Sequence, residues 1–597
     1  MKFVSSSFSK TSSTDSTLVN TVNEQTEGLS YTSSVAEIEA NDLEAWEGVD
    51  LFFKNEFDKA QAKFLKKSEH DFLYALCYGA TCLFKAGLTL QDEHINLAID
   101  TLTKAHTKAQ QTIDKIQQIE GNTMINSISK AFGGFFSSSS SASSKSSEKP
   151  EIPKMSALEF RAQICKAEAS LLIGMLQLML ESWTYYMKAV LNLHSGFSVY
   201  HSLDKYIDAY ADSGEVIPYD KHSLSGYYFG VGTINIVINM LPPKIASLIG
   251  AITGKIDVQK GFNYISKSIE VDGLLSILAN FQGSMIHLLY FSFCPSFSIP
   301  KNIEGLKPYL DPAVKKYPDG FFFRLIMGRR DRALKNLELS NSHYHTIADS
   351  KGAWDELASM SNYELSFNHC FALNWQPAFE LFENLAIRNY WNPTIFTYLQ
   401  AICQFELGNL EVCKQKLQSL ETLQTRKFGG KVIAVEAFAT TKTKHFLQNY
   451  PQNLILPGLE VIALWNGFSS MSTENLEKCK AQALAALDTV LALPESTRFE
   501  EEALCYYLLG CIDLELHNYP KAIEYLEKTA EFKKKLKFNQ YLIPFSYYEL
   551  ACIEFLQANY PSSKAWLVKV KECSGYFFEN RLGVRVHLSN IQLRGLC

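Results

Sequence analysis

A spacing of twelve and then four residues, repeated along the chain, restricts its fold more than any other feature. In each copy a small residue is followed twelve positions later by a second small residue, and four positions after that by a bulky apolar one. The four copies are Gly48, Ala60 and Phe64; Ser366, Ala378 and Phe382; Gly510, Ala522 and Leu526; and Ala551, Ser563 and Leu567. Small residues let two helices cross closely, so the pattern predicts helical hairpins.

Each copy also contains the same kind of turn. An aromatic residue stands three positions before the second small residue, and an Asn precedes it closely: Asn55 with Phe57, Asn374 with Trp375, Asn518 with Tyr519, and Asn559 with Tyr560. A weaker copy comprises Ala401, Asn409, Leu410 and Cys413. The copies that begin at Ser366 and Ala401 are 35 residues apart, and those that begin at Gly510 and Ala551 are 41 residues apart. Both intervals are near the period of about 34 residues of the tetratricopeptide repeat. The sequence therefore predicts an all-α superhelical solenoid of tetratricopeptide-like helical hairpins with an irregular apolar helical centre.

Shifts in composition divide the chain into five parts. Residues 1–34 form a Ser/Thr-rich tail too polar to bury a core, and 135–154 form a Ser-rich low-complexity insertion. The insertion is either a hinge or a tolerated surface loop. Between and after these tracts we expect N-terminal helical repeats at 35–134, an apolar helical central region at 155–320, and C-terminal repeats at 321–597.

Charge and cysteine usage narrow the classes of partner. The net charge is −6, so no basic surface for nucleic acid is expected. None of the 13 cysteines forms a C-x-x-C pair, and several lie in apolar helical runs, which predicts buried thiols in a reducing compartment. The N-terminus lacks the apolar core of a secretory signal, and neither end shows a lipidation motif.

Three segments resemble the tetratricopeptide repeat protein 39 family, which is related to fungal mitochondrial-outer-membrane and inclusion-body-clearance proteins. They are SGYYFGVGTINIVINMLPPKI at 225–245, FFFRLIMGRRDRALKNLE at 321–338, and the stretch YELSFNHC through FELG at 363–408. The likeness spans residues 36–590. The resemblance implies a non-enzymatic repeat protein, cytoplasmic or peripheral on the mitochondrial outer membrane or lipid droplets, linked to lipid handling or clearance of misfolded protein. It transfers no catalytic residues.

No motif of an enzyme, cofactor site or metal site is present in its structural context. Gly250 to Lys255 has the wrong spacing for a phosphate-binding loop, and Gly230 and Gly232 lack the third glycine of a dinucleotide fingerprint. His343 and His345 have no second ligand pair. We therefore expect no catalytic residue, no cofactor and no metal. The basic run Arg329, Arg330, Arg332 and Lys335 either meets acidic neighbours or binds an anion.

Two charge-free segments, 223–243 and 273–300, are long enough to span a bilayer. Polar residues interrupt both, among them Asn235, Asn280 and His287, and such groups need internal partners in lipid. A helix buried on all sides in a solenoid also reads as apolar all round. Buried core, peripheral membrane contact and membrane spanning therefore remain as three interpretations, of which buried core fits the polar interruptions best.

The first helix of each hairpin predicts the surface that would bind a partner. The residues flanking its small position are aromatic or apolar: Tyr363, Phe367, Tyr507, Cys511, Tyr548 and Cys552. These positions lack the Lys and Arg that hold an acidic peptide. We expect this groove to take an apolar or amphipathic helix, either a partner's or one of the chain's own; alternatively, it is filled core.

The function predicted from these features is a protein-interaction scaffold of the tetratricopeptide repeat 39 type. The alternative is a lipid- or membrane-binding protein that uses the apolar 223–300 region as a pocket. An unrecognised hydrolase or transferase has no group of residues to support it.

Overall fold

The computed structural model describes residues 33–120, 155–180, 183–240, 257–423, 427–428 and 431–594. The predicted tail lies outside this range except for residues 33 and 34, and the whole predicted insertion at 135–154 lies outside it. Within the described residues the chain is helical, apart from one pair of two-residue antiparallel strands, β1 Lys427–Phe428 and β2 Lys431–Val432. The predicted all-α class is confirmed.

The first half of the described chain contains ten helices. They are α1 Val35–Phe53, α2 Phe57–Ser68, α3 Phe72–Thr89, α4 Asp92–Glu120, α5 Ala157–Met179, α6 Trp183–Ser213, α7 Lys221–Met240, α8 Val258–Val271, α9 Ser276–Phe293 and α10 Pro295–Lys316.

The second half adds fourteen helices within the described residues. They are α11 Phe321–Ala333, α12 Leu337–Ala348, α13 Asp355–Phe371, α14 Trp375–Ile387, α15 Pro393–Glu406, α16 Leu410–Ser419, α17 Ala434–Gln448, α18 Pro457–Leu464, α19 Thr473–Leu491, α20 Phe499–Glu515, α21 Tyr519–Glu531, α22 Leu542–Leu556, α23 Tyr560–Lys571 and α24 Glu579–Leu593. Short 3₁₀ turns cover Leu420–Thr422, Gly467–Ser470, Glu495–Thr497 and Phe532–Lys534.

Most of the Asn residues predicted to mark the turns do so through one repeated backbone motif, which also occurs at Asn336; Asn55 is the exception, because it is itself left-handed. In five hairpins the residue before the Asn is left-handed: Lys335, Leu373, Gly408, His517 and Ala558. The Asn N–H then donates to the carbonyl five residues back, as from Asn374 to His369 and from Asn518 to Asp513, both at 2.8 Å. This is the Schellman arrangement, which satisfies carbonyls at the end of the first helix and reverses the chain.

The small residues predicted to allow close crossing lie directly under the bulky residue of the second helix. A Cβ atom at Gly48 would lie 2.5 Å from Cε1 of Phe64, and one at Gly510 would lie 2.6 Å from Cγ of Leu526. In α23 the hydroxyl of Ser563 donates to the carbonyl oxygen of Ala551 at 2.8 Å. The predicted hairpins are therefore confirmed by the contacts that the spacing implied.

The central region uses the same close contact with longer hairpins. Gly174 packs against Leu193, Gly232 against Ile265 and Gly283 against Tyr309. These partners are 19, 33 and 26 residues apart instead of sixteen, so the fixed spacing did not reveal them. The centre therefore departs from the other repeats in helix length, while the rule of packing stays the same.

One further hairpin, α11 with α12, keeps the sixteen-residue spacing but was missed. A Cβ atom at Gly328 would lie 2.5 Å from Cζ of Tyr344, and Ser340 donates to the Gly328 carbonyl at 2.7 Å. Leu337 occupies the position that is aromatic in the other copies. The requirement for an aromatic residue hid this copy.

The C-terminal helices pack back onto the centre of the chain. Arg585 of α24 donates from Nε to the carbonyl of Phe293 at 2.8 Å, and the ring of His587 lies 2.9 Å from the carbonyl oxygen of Asn239. The hydroxyl of Tyr390, between α14 and α15, donates to the carbonyl of Leu88 in α3 at 2.8 Å. The predicted central and C-terminal regions consequently share one apolar core.

The two charge-free segments cover most of α7 and all of α9. Most residues of α7 are buried inside the protein, and of the described residues of α9 half are buried and nearly all the others are half-buried. Their polar interruptions have internal partners: Thr233 donates to Gln282 at 2.7 Å, and the amides of Asn235 and Asn280 donate to carbonyls one turn back. The part of the first segment from residue 241 onward lies outside the described residues. By length and composition one described helix, Phe72–Thr89, could cross a membrane, and 67% of it is buried in the protein.

The cysteines behave as the sequence predicts. Eleven of the twelve in the described residues are buried free thiols, and Cys573 is half-buried. Burial raises the pKa of the Cys77 thiol to about 12 and that of Cys505 to about 12. Such thiols pack as small apolar groups and react slowly.

A pair of glycine substitutions tests the close-crossing rule. Gly232→Ala would place its Cβ 2.9 Å from the carbonyl oxygen of Gly261, a backbone atom that cannot move without separating two helices. We expect it to lower the free energy of unfolding by about 1–3 kcal/mol. Gly583→Ala in α24 meets nothing within 4 Å, so its better helix propensity should raise stability by about 0.5–1 kcal/mol. Chemical denaturation followed by circular dichroism measures the free energy of unfolding of both variants. Equal effects of the two substitutions would contradict the rule that these glycines allow close helix crossing.

Candidate functional site

The six predicted groove residues lie on the first helices of three hairpins. Tyr363 and Phe367 are on α13, Tyr507 and Cys511 on α20, and Tyr548 and Cys552 on α22. Tyr363 is half-buried and the other five are buried. The structure therefore brings them to the interior side of the repeats, where other parts of the same chain cover them.

Most of this covering comes from residues 456–471, here named the inner segment. It comprises α18 and the 3₁₀ turn Gly467–Ser470, and it packs against α13, α15 and α20. All eight residues of α18 are buried. Left-handed backbone at Leu456 sets the direction in which the segment enters, and left-handed backbone at Asn466 reorients the chain between α18 and the 3₁₀ turn. A short apolar helix from the chain itself thus occupies the interior.

Trp465 makes the closest contact between the inner segment and the predicted groove. Its ring stacks on that of Phe367, with centroids 5.0 Å apart and an interplanar angle of 16°. Its indole Nε1 donates to the hydroxyl of Tyr363 at 2.9 Å. Two residues later, a side chain at Gly467 would overlap the ring of Phe371, so only glycine fits there. Stacking and a satisfied indole N–H fix this tryptophan in place.

A buried ion pair anchors the inner segment on its other side. Nζ of Lys442, in α17, lies 2.8 Å from Oε1 of Glu460 in α18, and both side chains are at most 2% exposed. Lys442 also donates to Oδ1 of Asn539 at 3.0 Å, and the hydroxyl of Tyr541 donates to Glu460. A buried charge is tolerated only when it is paired and hydrogen-bonded in this way.

Tyr548 and Cys552 are covered by α10 and α24 instead. The guanidinium of Arg585 lies 4.1 Å from the centroid of the Tyr548 ring, and the Tyr548 hydroxyl lies 3.0 Å from Oγ of Ser589. Arg585 also donates to Glu549 at 3.2 Å. Burial raises the pKa of the Tyr548 hydroxyl well above its usual range. This part of the predicted groove is therefore closed by the end of the solenoid.

Only a small space remains in this region. A cavity of about 30 Å³ lies between the inner segment and α20 and α22, bordered by Ser296, Tyr507 and Glu515. Since one water needs about 10–15 Å³, it holds two or three waters. Partner binding at the six residues stays a prediction. It would require the inner segment to be displaced from Tyr363, Phe367, Tyr507 and Cys511, and α10 and α24 to be displaced from the other two residues.

The basic run at the C-terminal end of α11 is engaged with acidic neighbours. Arg329 and Arg332 each place a guanidinium nitrogen 2.6 Å from a carboxylate oxygen of Glu364, and Arg330 pairs with Asp331 at 2.8 Å. His343 also lies 3.1 Å from Asp331, whereas His345 is exposed beside Asp349. The structure thus favours the first interpretation, in which these arginines pair with acidic neighbours and hold repeats together. It does not favour the second, in which they bind an anion.

Arg581 differs from these arginines. Within the described residues no carboxylate lies within 4 Å of its guanidinium, which stands 5.8 Å from the centroid of the Trp465 ring. Burial, and then the neighbouring charge of Arg585, lower its pKa to about 10. The interior surface therefore presents one cation without a carboxylate partner beside the inner segment.

The inner segment, Lys442, Arg581 and Arg585 were not found from the sequence. The run PGLEVIALWNGF between Leu456 and Ser469 is apolar and lies between a proline and a glycine, which is typical of a short buried helix. Its position inside the repeats could not follow from that pattern, because it matches no repeat. Lys442 and Arg585 are ordinary helix residues in the sequence, and only tertiary packing makes them buried.

Comparisons with known proteins place these features in context. Residues 46–516 match a family model described as Iml2/Tetratricopeptide repeat protein 39. Among solved structures, the chain is similar to yeast Tom70, with 12% identity, 90% of this chain and 100% of that chain covered, and a TM-score of 0.30. The APC/C hetero-tetramer Cut9-Hcn1 shows 11% identity, 92% and 98% coverage and a TM-score of 0.23. The human IFIT1 dimer with m7Gppp-AAAA shows 11%, 82% and 95%, and 0.20. At these TM-scores the three structures add no argument, whereas the family match covers most of the chain.

A double-mutant cycle tests the anchor of the inner segment. Lys442→Met leaves the carboxylate of Glu460 buried without its cation and should lower the free energy of unfolding by about 3–5 kcal/mol. Adding Glu460→Leu removes the stranded charge, so the double variant should recover most of this loss. Urea denaturation of the wild type, Lys442→Met, Glu460→Leu and the double variant measures the cycle. A single variant as stable as the double one would show that the pair does not anchor the segment.

Proposed function

The chain belongs to the Iml2/tetratricopeptide repeat protein 39 family, and we propose that it acts as a protein-interaction scaffold whose interior surface binds an apolar or amphipathic helix. The observation that carries this proposal is the inner segment itself. The first helices of the hairpins already hold one short apolar helix, α18, against Tyr363, Phe367 and Tyr507. A partner helix of the same chemistry would meet the same surface.

The burial of the inner segment sets what such a partner must provide. Leu459, Val461, Ile462, Leu464 and Phe468 are all at most 4% exposed. Fully burying each such side chain contributes about 1.5–3 kcal/mol, so the five together contribute roughly 10 kcal/mol. That is comparable to the whole stability of a typical domain, about 5–15 kcal/mol. A partner therefore binds in competition with the inner segment and has to bury a similar apolar face.

Arg581 adds a preference within that surface. Its guanidinium lies beside Trp465 and has no carboxylate within 4 Å among the described residues. A partner helix with an acidic residue at this point would gain a charge-assisted hydrogen bond in a buried setting. The preferred ligand is thus an apolar helix that carries one Asp or Glu, and a uniformly acidic peptide does not fit.

The proposal assigns the chain no reaction, cofactor or metal. The buried charged groups of the repeats are engaged with one another, as in Glu364 with Arg329 and Arg332, and Glu549 with Arg585. Such pairs hold helices in register. This supports a binding role over a catalytic one.

The place of action belongs to the proposal as well. We infer a cytoplasmic protein that associates peripherally with the mitochondrial outer membrane or lipid droplets and takes part in lipid handling or clearance of misfolded protein. The family resemblance supports this placement. Proximity labelling in the native cell identifies the partners and the organelle together.

A trans-peptide experiment tests the interior surface. The probe is a fluorescent peptide with the sequence of residues 454–471, and the protein is the full chain with Trp465→Ala, which removes the stacking on Phe367 and the hydrogen bond to Tyr363. We expect fluorescence anisotropy to detect binding at least tenfold tighter than to the wild type, whose own segment fills the site.

The matched control for this experiment is Leu484→Ala, at an exposed position of α19, which should bind the peptide no better than the wild type does. Asn466→Ala, which removes the hydrogen bond to the Ser292 carbonyl, is the milder variant if Trp465→Ala unfolds. If Trp465→Ala or Asn466→Ala folds but does not bind the peptide, the proposed interior site is contradicted. Tyr507→Glu and Tyr548→Glu are unsuitable here, because both residues are buried and a charge would unfold the repeats.

Flotation with liposomes tests the alternative, a lipid- or membrane-binding protein that uses the 223–300 region. Because the described apolar side chains of α7 and α9 are buried or half-buried, the purified full chain should stay at the bottom of the gradient with vesicles of phosphatidylcholine, phosphatidylethanolamine and cardiolipin. Flotation of the folded chain would favour the alternative. Deleting 273–300 cannot serve as the control, since α9 belongs to the core.

A further inference from the structure

A second cavity lies between α1, α2, α3, α5, α7 and α9. It has a volume of about 70 Å³. One side of it is apolar and aromatic, formed by Phe52, Phe64, Leu76, Phe84, Leu172 and Leu278. A cavity with only such walls stays dry and takes apolar guests.

The other side of this cavity is polar and incompletely bonded. Arg161, His222 and Ser223 line it and are only 3%, 7% and 5% exposed. Nη1 of Arg161, Nδ1 of His222 and Oγ of Ser223 have no hydrogen-bond partner. Nη2 of Arg161 is already used, because it donates to Asp42. Buried polar atoms are almost always paired, so three unpaired atoms around one cavity call for a ligand.

The charges around the cavity decide the charge of that ligand. The positive charge of Arg161 is offset by Asp42, its ion-pair partner. Burial lowers the pKa of His222 to about 4, so this ring is neutral near pH 7, and burial raises the pKa of Glu168 to about 7. Burial raises the pKa of Asp42 to about 7, and an anionic ligand would have to compete with this carboxylate for Arg161, whose Nη2 already donates to it. A cationic ligand finds Asp42 held by Arg161 and Glu168 bonded to the hydroxyl of Tyr200 at 2.8 Å.

The volume limits the size of the ligand. One water-sized group needs about 10–15 Å³, so a cavity of about 70 Å³ accepts roughly five heavy atoms and cannot hold a membrane lipid. Water alone would satisfy the polar side, but water molecules against the aromatic side would find no hydrogen-bond partners there.

We propose that this cavity is a binding site for a small uncharged molecule that carries one hydroxyl or carbonyl oxygen on an apolar body of about four heavy atoms. The oxygen of the ligand accepts a hydrogen bond from Nη1 of Arg161 and lies on the polar side of the cavity, near His222 and Ser223. The apolar body of the ligand lies against Phe52, Phe84 and Leu278. The site is independent of the interior surface proposed above, so either can fail without the other.

Saturation-transfer NMR on the full chain tests this site with 1-butanol as the probe. Magnetisation should pass from the protein to the butanol methyl group. Cyclopentane, which lacks the oxygen, and butyrate and butylammonium, which carry charges, should each give at least a fivefold smaller effect. Signals of equal size from all four compounds, or none from butanol, would overturn the proposal and leave a hydrated cavity.

Variants locate the binding. Ala80→Leu places a larger side chain in the cavity and should abolish the butanol signal in a protein that still shows helical circular dichroism. If that variant does not fold, Val49→Leu fills the same space from α1. Ser223→Ala keeps the shape and removes one polar atom, so it should weaken butanol binding several-fold and leave cyclopentane unchanged. A butanol signal that survives filling of the cavity would contradict the assignment.

Discussion

The fold depends on one recurring contact, in which a small residue of the first helix lies directly beneath a bulky residue of the second. From Gly48 under Phe64 to Gly510 under Leu526, this contact sets how closely the helices of a hairpin approach. Close approach in turn lets the next hairpin stack on the last, since interaxial distance follows the side chains at the crossing. The Schellman turn at each Asn supports it by reversing the chain within a few residues. The remaining features of the structure are arranged on this frame.

The interior of the frame is where this chain differs from a plain repeat array. A solenoid of hairpins alone would leave the aromatic residues of α13 and α20 facing solvent. The inner segment covers them and is fixed by Trp465 on one side and by the pair of Lys442 and Glu460 on the other. These two contacts differ in how much movement they allow. The stacking of Trp465 on Phe367 adapts to small shifts, whereas the buried ion pair tolerates little displacement. The end of the segment that carries Trp465 is therefore the easier one to release.

The sequence predicts the hairpins better than the interior. Ser366, Ala378 and Phe382 are sufficient to place α13 and α14, because spacing within a hairpin is a local property. The longer hairpins of the centre were missed since Gly232 and Ile265 keep the contact but not the spacing. The six groove residues were correctly placed on first helices, yet what covers them is set by contacts between distant parts of the chain. No local pattern shows that Trp465 reaches Tyr363, more than a hundred residues earlier.

The return of α24 to the centre ties the order of folding to the order of synthesis. The bonds from Arg585 to Phe293 and from His587 to Asn239 join residues 292 and 348 positions apart. At translation rates of about 5–20 residues per second, a ribosome needs roughly 15–70 s to make that length of chain. During this interval α9 and the end of α7 have left the ribosome without the helix that completes their core. A nascent chain of this kind presents apolar helix surface for far longer than a helical hairpin takes to form, and so offers a long window for chaperone binding or for mispairing with a neighbouring copy.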